Sequence, residues 1–113
     1  MAAVSEGDRV VIVERRLFKE DNTRIFVGIV EVYHELSLRA RGFGFHISPY
    51  EVAGMERRSE ERVRLFTLGS SDIVFLLPRE LDLSGLQLRR SPKAMSLTDG
   101  KFAMDLSDFL LRA

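Results

Sequence analysis

The stretch Gly7-Asp8-Arg9-Val10-Val11-Ile12-Val13, followed after a polar interval by Arg24-Ile25-Phe26-Val27-Gly28-Ile29-Val30-Glu31-Val32-Tyr33, decides the fold. β-branched and aromatic residues fill both runs, a composition that suits a pleated, half-buried strand. Gly28 lies inside the second run, where a strand bends or lets another backbone approach closely. Between the two, Lys19-Glu20-Asp21-Asn22-Thr23 is polar and turn-prone, as a hairpin or short loop requires. Two long strands, the second one bent, predict an all-β chain that begins as a small, partly open barrel.

Downstream, Leu36, Leu38 and Ala40 alternate with Ser37, Arg39 and Arg41, the period of a strand with one wet face. Gly42-Phe43-Gly44-Phe45 then predicts a bulge or a corner, because each glycine relaxes the backbone while each phenylalanine still fills core volume. Ser48 to Glu61 is dense in charge and lacks an apolar stripe, which predicts a surface loop or one helical turn. Val63 to Leu68 and Ile73 to Leu77 read as strands, and the turn-forming Gly69-Ser70-Ser71-Asp72 between them predicts a hairpin. Ile73-Val74-Phe75-Leu76-Leu77 is apolar at every position, so both of its faces need cover, in a central strand or an interface.

The C-terminal third adds further hairpins. Leu86-Gln87-Leu88-Arg89 alternates as a strand, and Ala94 to Thr98 and Lys101 to Asp105 flank Asp99-Gly100. Asp-Gly favours a two-residue turn because both central residues need positive φ. That turn would pair Thr98 with Lys101, Leu97 with Phe102 and Met95 with Met104 on one face, and Ser96 with Ala103 on the other. Ser107 is placed to cap a final helical turn.

The chain has 113 residues, 45% of them hydrophobic and 30% charged, which predicts one globular domain spanning residues 1–113. Seventeen basic residues balance seventeen acidic ones, eleven of each in residues 1–64 and six of each in residues 65–113. That weakens the case for non-specific nucleic-acid binding, which needs a large positive field. Arginine outnumbers lysine fourteen to three; it is the better residue for bidentate contacts to phosphate or carboxylate, although a G- and C-rich genome raises it everywhere. The absence of cysteine excludes disulfides, thiolate metal sites and cysteine nucleophiles, and the sequence pattern predicts neither a leader nor a membrane span. A soluble, cytoplasmic protein is the expectation.

Few residues invite a chemical role. His34 lies near Glu31 and Glu35, but on a strand the carboxylates point away from the histidine, so no metal site is expected. Glu31, inside an apolar run, calls for an arginine partner on a neighbouring strand. Arg41-Gly42-Phe43-Gly44-Phe45 imitates the first five positions of the RNA-recognition octapeptide, whereas His46-Ile47-Ser48 does not complete it. Gly42 and Gly44 lack the third glycine and the following helix of a phosphate-binding loop. Asp82-Leu83-Ser84-Gly85 is too short for the signature of PilZ nucleotide-binding domains. No catalytic residue, cofactor or metal is assigned.

The pieces Gly7-Asp8-Arg9-Val10-Val11-Ile12, Phe26-Val27-Gly28, the Arg/Glu run from Glu56 to Arg64, Leu76-Leu77-Pro78-Arg79-Glu80 and Leu97-Thr98-Asp99-Gly100 together resemble a small bacterial family of uncharacterised, hypothetical proteins. That likeness implies no activity. Residues 7–77 also resemble SH3-like and Sm-like barrels in their strand order and bent second strand, so the expected architecture is a small SH3-like or Sm-like partly open barrel extended by C-terminal β-hairpins. Sm-like proteins form rings and bind RNA, but no RNA-contacting motif of theirs maps onto this chain. The leading expectation is therefore a non-enzymatic module that self-associates through the apolar strand Ile73 to Leu77. The alternative is an RNA or single-stranded nucleic-acid binder that uses Arg39, Arg41, Phe43 and Phe45. An enzyme is disfavoured, because two separated histidines and no cysteine leave few pairings of nucleophile and base.

Overall fold

The computed structural model describes residues 4–14, 23–47, 54–55, 58–69, 72–91 and 93–109. It is all-β, with two antiparallel sheets. The strands are β1 (Arg9–Glu14), β2 (Thr23–His34), β3 (Ser37–Ile47), β4 (Gly54–Met55), β5 (Arg62–Thr67), β6 (Asp72–Leu77), β7 (Gln87–Arg90), β8 (Met95–Thr98) and β9 (Ala103–Asp105). The larger sheet runs in the order β5-β3-β2-β1-β6, and the smaller one β4-β7-β8-β9.

The larger sheet curls into a partly open barrel. β5 and β6 follow one another in sequence yet stand at opposite ends of its order. A flat five-stranded sheet would hold its outer strands about 19 Å apart, while the five residue steps from Thr67 to Asp72 reach at most about 17 Å fully stretched. They are not stretched, because the Asp72 N–H donates to the Gly69 carbonyl at 3.2 Å and the Gly69 N–H donates to the Asp72 carboxylate at 2.9 Å. The two ends therefore approach each other. Accordingly Phe66 and Leu68 from one end and Val74 from the other pack into one core with Val10, Ile12, Phe26, Val30, Leu38 and Ala40. The expected hairpin at Gly69 to Asp72 is thus a turn that closes a barrel, since β5 pairs with β3 and β6 pairs with β1.

The bend rests on glycine. Gly28 of β2 faces Gly42 of β3, and a Cβ on Gly42 would overlap the Val27 carbonyl oxygen and the Gly28 Cα. The pairing register also slips between Val30 and Val32, a bulge that increases the local twist.

Alternation sends the other side chains of the sheet outward, where the smaller sheet covers part of them. Val11, Val13, Ile25, Val27 and Phe45 pack there against Leu83, Leu86, Leu88, Met95, Leu97 and Leu106. β1 is consequently buried on both faces, with Val10 to Val13 inaccessible to solvent. Of the two places expected for β6, central strand or interface, the first does not hold: β6 stands at an end of the order, with Ile73, Val74 and Phe75 half-buried and Leu76 58% exposed. Its two apolar faces reflect two cores, one on each side of a single sheet.

The C-terminal hairpin forms in a different register from the expected one. Thr98 pairs with Ala103 and Leu97 with Met104, which leaves a four-residue loop. The Asp99 carboxylate accepts from the N–H groups of Lys101 and Phe102 at 2.9 and 2.7 Å and so opens the turn. Gly100 takes φ +100° within it. The region from Ser48 to Glu61 is not helical among its described residues: Gly54 and Met55 pair with Arg90 and Arg89, and Phe45 forms a bridge with Arg58. A short 3₁₀ turn at Ser107–Phe109 follows β9, with Ser107 as its first residue; Asp105 accepts from the Ser107 N–H, while Ser107 Oγ accepts from the Met95 N–H. The fate of Lys19 to Asn22 and of Leu110 and Leu111 lies outside the described residues.

Candidate interaction surface

Arg39, Arg41, Phe43 and Phe45 all project from the outer face of β3, because alternate residues of a strand share a face. The structure then divides them. Phe45 is 1% exposed and belongs to the core between the sheets, so it offers no face for stacking a base. Phe43 is half-buried, and the Arg58 guanidinium lies 4.4 Å from its ring centroid. Arg58 is held there by a 2.6 Å hydrogen bond to the Ser84 carbonyl, which straps the outer face of the barrel to the 3₁₀ turn Leu83–Gly85. Arg39 and Arg41 remain exposed, and both contact Glu31 at the bulge, at 3.2 and 3.1 Å. The arginine partner expected for Glu31 is therefore a pair of arginines. Of the two phenylalanines, Phe45 is thus enclosed and Phe43 is covered on one face by Arg58.

The smaller sheet covers only the half of the outer face that contains Phe45. Beyond it, β5 pairs with β3 so that Leu65 stands opposite Arg39 and Val63 opposite Arg41, while Val32 of β2 flanks Arg39 from the other side. These three apolar residues are exposed, Leu65 by 74%. Together with Glu31, Arg39 and Arg41 they form a surface of mixed charge and apolar area. Burying a leucine or valine side chain is worth about 1.5–3 kcal/mol, so such a patch favours contact with another surface.

Elsewhere the polar side chains hold turns. Asp82 accepts from Ser84 Oγ and the Ser84 N–H, Asp99 from the Phe102 and Lys101 N–H groups, and Asp105 from Ser107 Oγ and its N–H. These hydrogen bonds favour the charged form and hold each carboxyl below the ordinary aspartate value. Arg79 spans from Asp8, at 3.1 Å, to the Glu6 carbonyl, and so joins the chain after β6 to the turn before β1. His34 is exposed beside Glu35. Among the described residues no group of three or more His, Cys, Asp or Glu side chains is placed to hold a metal ion, and no helix is long and apolar enough to cross a membrane.

Fold and surface together define a small all-β protein in which a partly open barrel is extended by a second antiparallel sheet. No family model, curated protein or solved structure matches the chain.

Proposed function

We propose that this chain is a non-enzymatic interaction module that self-associates, a second copy docking on the outer face of β2, β3 and β5. The observation that carries this reading is the exposed set Val32, Val63 and Leu65 around the Glu31–Arg39–Arg41 ion pairs. A second copy suits it because the formal net charge is zero, so two chains do not repel. The patch also carries both signs of charge, which an isologous twofold contact can set against one another. Three apolar residues a side supply little area, so the contact belongs with weak, transient interfaces. The order β5-β3-β2-β1-β6, with a short turn between its two ends, supports an SH3-like or Sm-like reading of residues 7–77. A cysteine-free chain suits the reducing cytoplasm as its setting.

Sedimentation velocity over a range of concentrations tests the proposal. We expect reversible association that Leu65→Glu abolishes and that Leu76→Glu, on β6, leaves in place. A strict monomer at high concentration, or association that survives Leu65→Glu, would overturn it.

A further inference from the structure

The inner face of the barrel holds a feature that self-association does not use. Along β3 the inward positions beyond Ala40 are Gly42 and Gly44, so no side chain fills the space between β2 and β5 there. A cleft of about 180 Å³ opens over Gly44, lined by Arg24 and Phe26 from β2, Arg62 and Arg64 from β5, and Ser59.

Three arginines thus line a small cleft. Arg64 is fixed in place: it contacts Glu14 at 2.9 Å and lies 4.5 Å from the Phe66 ring centroid and 5.7 Å from that of Phe26. Arg24 and Arg62 have no ion-pair partner among the described residues. Most other described arginines are engaged, Arg39 and Arg41 by Glu31, Arg79 by Asp8, Arg9 by the Leu81 carbonyl and Arg58 by the Ser84 carbonyl. Two arginines without an ion-pair partner among the described residues therefore line the same cavity. Among the described residues the lining carries three positive charges and no carboxylate, and Glu14 is the one carboxylate paired with any of them.

We propose that this cleft binds a dianionic phosphate group, free or as the monoester of a small alcohol. Phosphate matches both the excess charge and the planar fork of N–H donors that arginine presents. The cavity is smaller than the ~300–1,000 Å³ of pockets that take drug-sized ligands, so the occupant is a small anion. Gly44 makes room for it, since the nearest atoms a Cβ there would meet are Ser59 Oγ, the Ile25 carbonyl oxygen and the Phe26 ring, at 3.7 to 3.9 Å. A larger side chain at Gly44 would project into the cleft. Glu14 opposes binding, because it occupies part of the Arg64 donor set.

Calorimetric titration of the whole chain at low ionic strength, with inorganic phosphate in one arm and glycerol 1-phosphate in the other, tests the assignment. Saturable binding is expected in at least one arm; tighter binding of the ester identifies a monoester as the natural ligand, and equal or tighter binding of inorganic phosphate identifies the free ion. Arg24→Gln and Arg62→Gln should each weaken binding at least about tenfold. Gly44→Leu should abolish it with the circular dichroism spectrum retained, and Glu14→Gln should tighten it. Arg89→Gln, at an exposed arginine of β7 outside the cleft, should leave it unchanged. The proposal is overturned if neither compound saturates, or if Arg89→Gln weakens binding as much as Arg24→Gln does.

Discussion

Gly28 and Gly42 face each other across β2 and β3, and their backbones approach too closely for Gly42 to carry a Cβ. A methyl group there must push the Val27 carbonyl and the two strands apart at the point where the sheet curls. Gly42→Ala should therefore destabilise the fold by more than about 3 kcal/mol, the range of severe overpacking. Two residues along, Gly44→Ala meets only ordinary van der Waals neighbours, and should change stability by less than about 1 kcal/mol. Urea denaturation of the two variants measures the difference, and equal losses would show that close approach is not what Gly42 serves.

The two phenylalanines that flank Gly44 differ in the same manner. Phe45 is enclosed between the sheets, whereas Phe43 is half-buried under Arg58. Truncation of a buried phenylalanine costs about 3–5 kcal/mol, so Phe45→Ala should lose that much and Phe43→Ala about 1 kcal/mol, through its lost packing and cation–π contact. Equilibrium unfolding monitored by circular dichroism checks both values. A Phe43→Ala loss as large as that of Phe45→Ala would contradict the partial cover seen on the outer face.

Acid should weaken the protein through its turn aspartates. Asp82, Asp99 and Asp105 have depressed folded-state pKa values, because hydrogen bonds from Ser84, from Phe102 and Lys101, and from Ser107 stabilise their charged forms. The unfolded chain therefore binds protons more readily, and the stability these groups contribute is present above pH ~4 and lost as pH falls through the lower folded values. Asp99→Asn keeps an oxygen that accepts from the two loop N–H groups and removes the titration. The urea midpoint of this variant, followed from pH 6 downward, should fall less steeply below pH ~4 than that of the parent chain. An identical acid limb would show that Asp99 does not contribute to it.

The same aspartate marks the limit of what the sequence conveys. Asp99-Gly100 locates a hairpin correctly, yet the Asp99 side chain opens the loop from two residues to four and moves each pairing by two positions. A slip of two preserves faces, so Leu97 still meets an apolar residue, Met104 in place of Phe102. The turn between β2 and β3 carries no such marker: Glu35 adopts φ +53° there without glycine or asparagine. Alternation alone puts Arg39, Arg41, Phe43 and Phe45 on one face, but not the extent of the second sheet, which hides Phe45 and leaves Arg39 in water. β6 is apolar on both sides because a core lies on each side of the larger sheet, and a run of five apolar residues does not distinguish that from a central place. The cleft was legible only as gaps at Gly42 and Gly44; the three arginines around them come together through the registers of β2 and β5.

Glu14 and Arg64 meet although β1 and β5 are separated in the sheet by β2 and β3. Their contact spans the mouth of the barrel, so it exists only when the sheet is curled. Both side chains are about a third exposed, which places the pair in the modest range of about 0.5–1 kcal/mol. A double-mutant cycle of Glu14→Gln and Arg64→Gln should return a coupling of about that size, diminished at high salt as screening reaches the partly exposed charges. Arg64→Gln alone should cost more than Glu14→Gln alone, because it also removes the guanidinium packed over Phe66 and Phe26. Zero coupling at low salt would mean that the two side chains do not meet in solution and that the barrel stands more open than this contact requires.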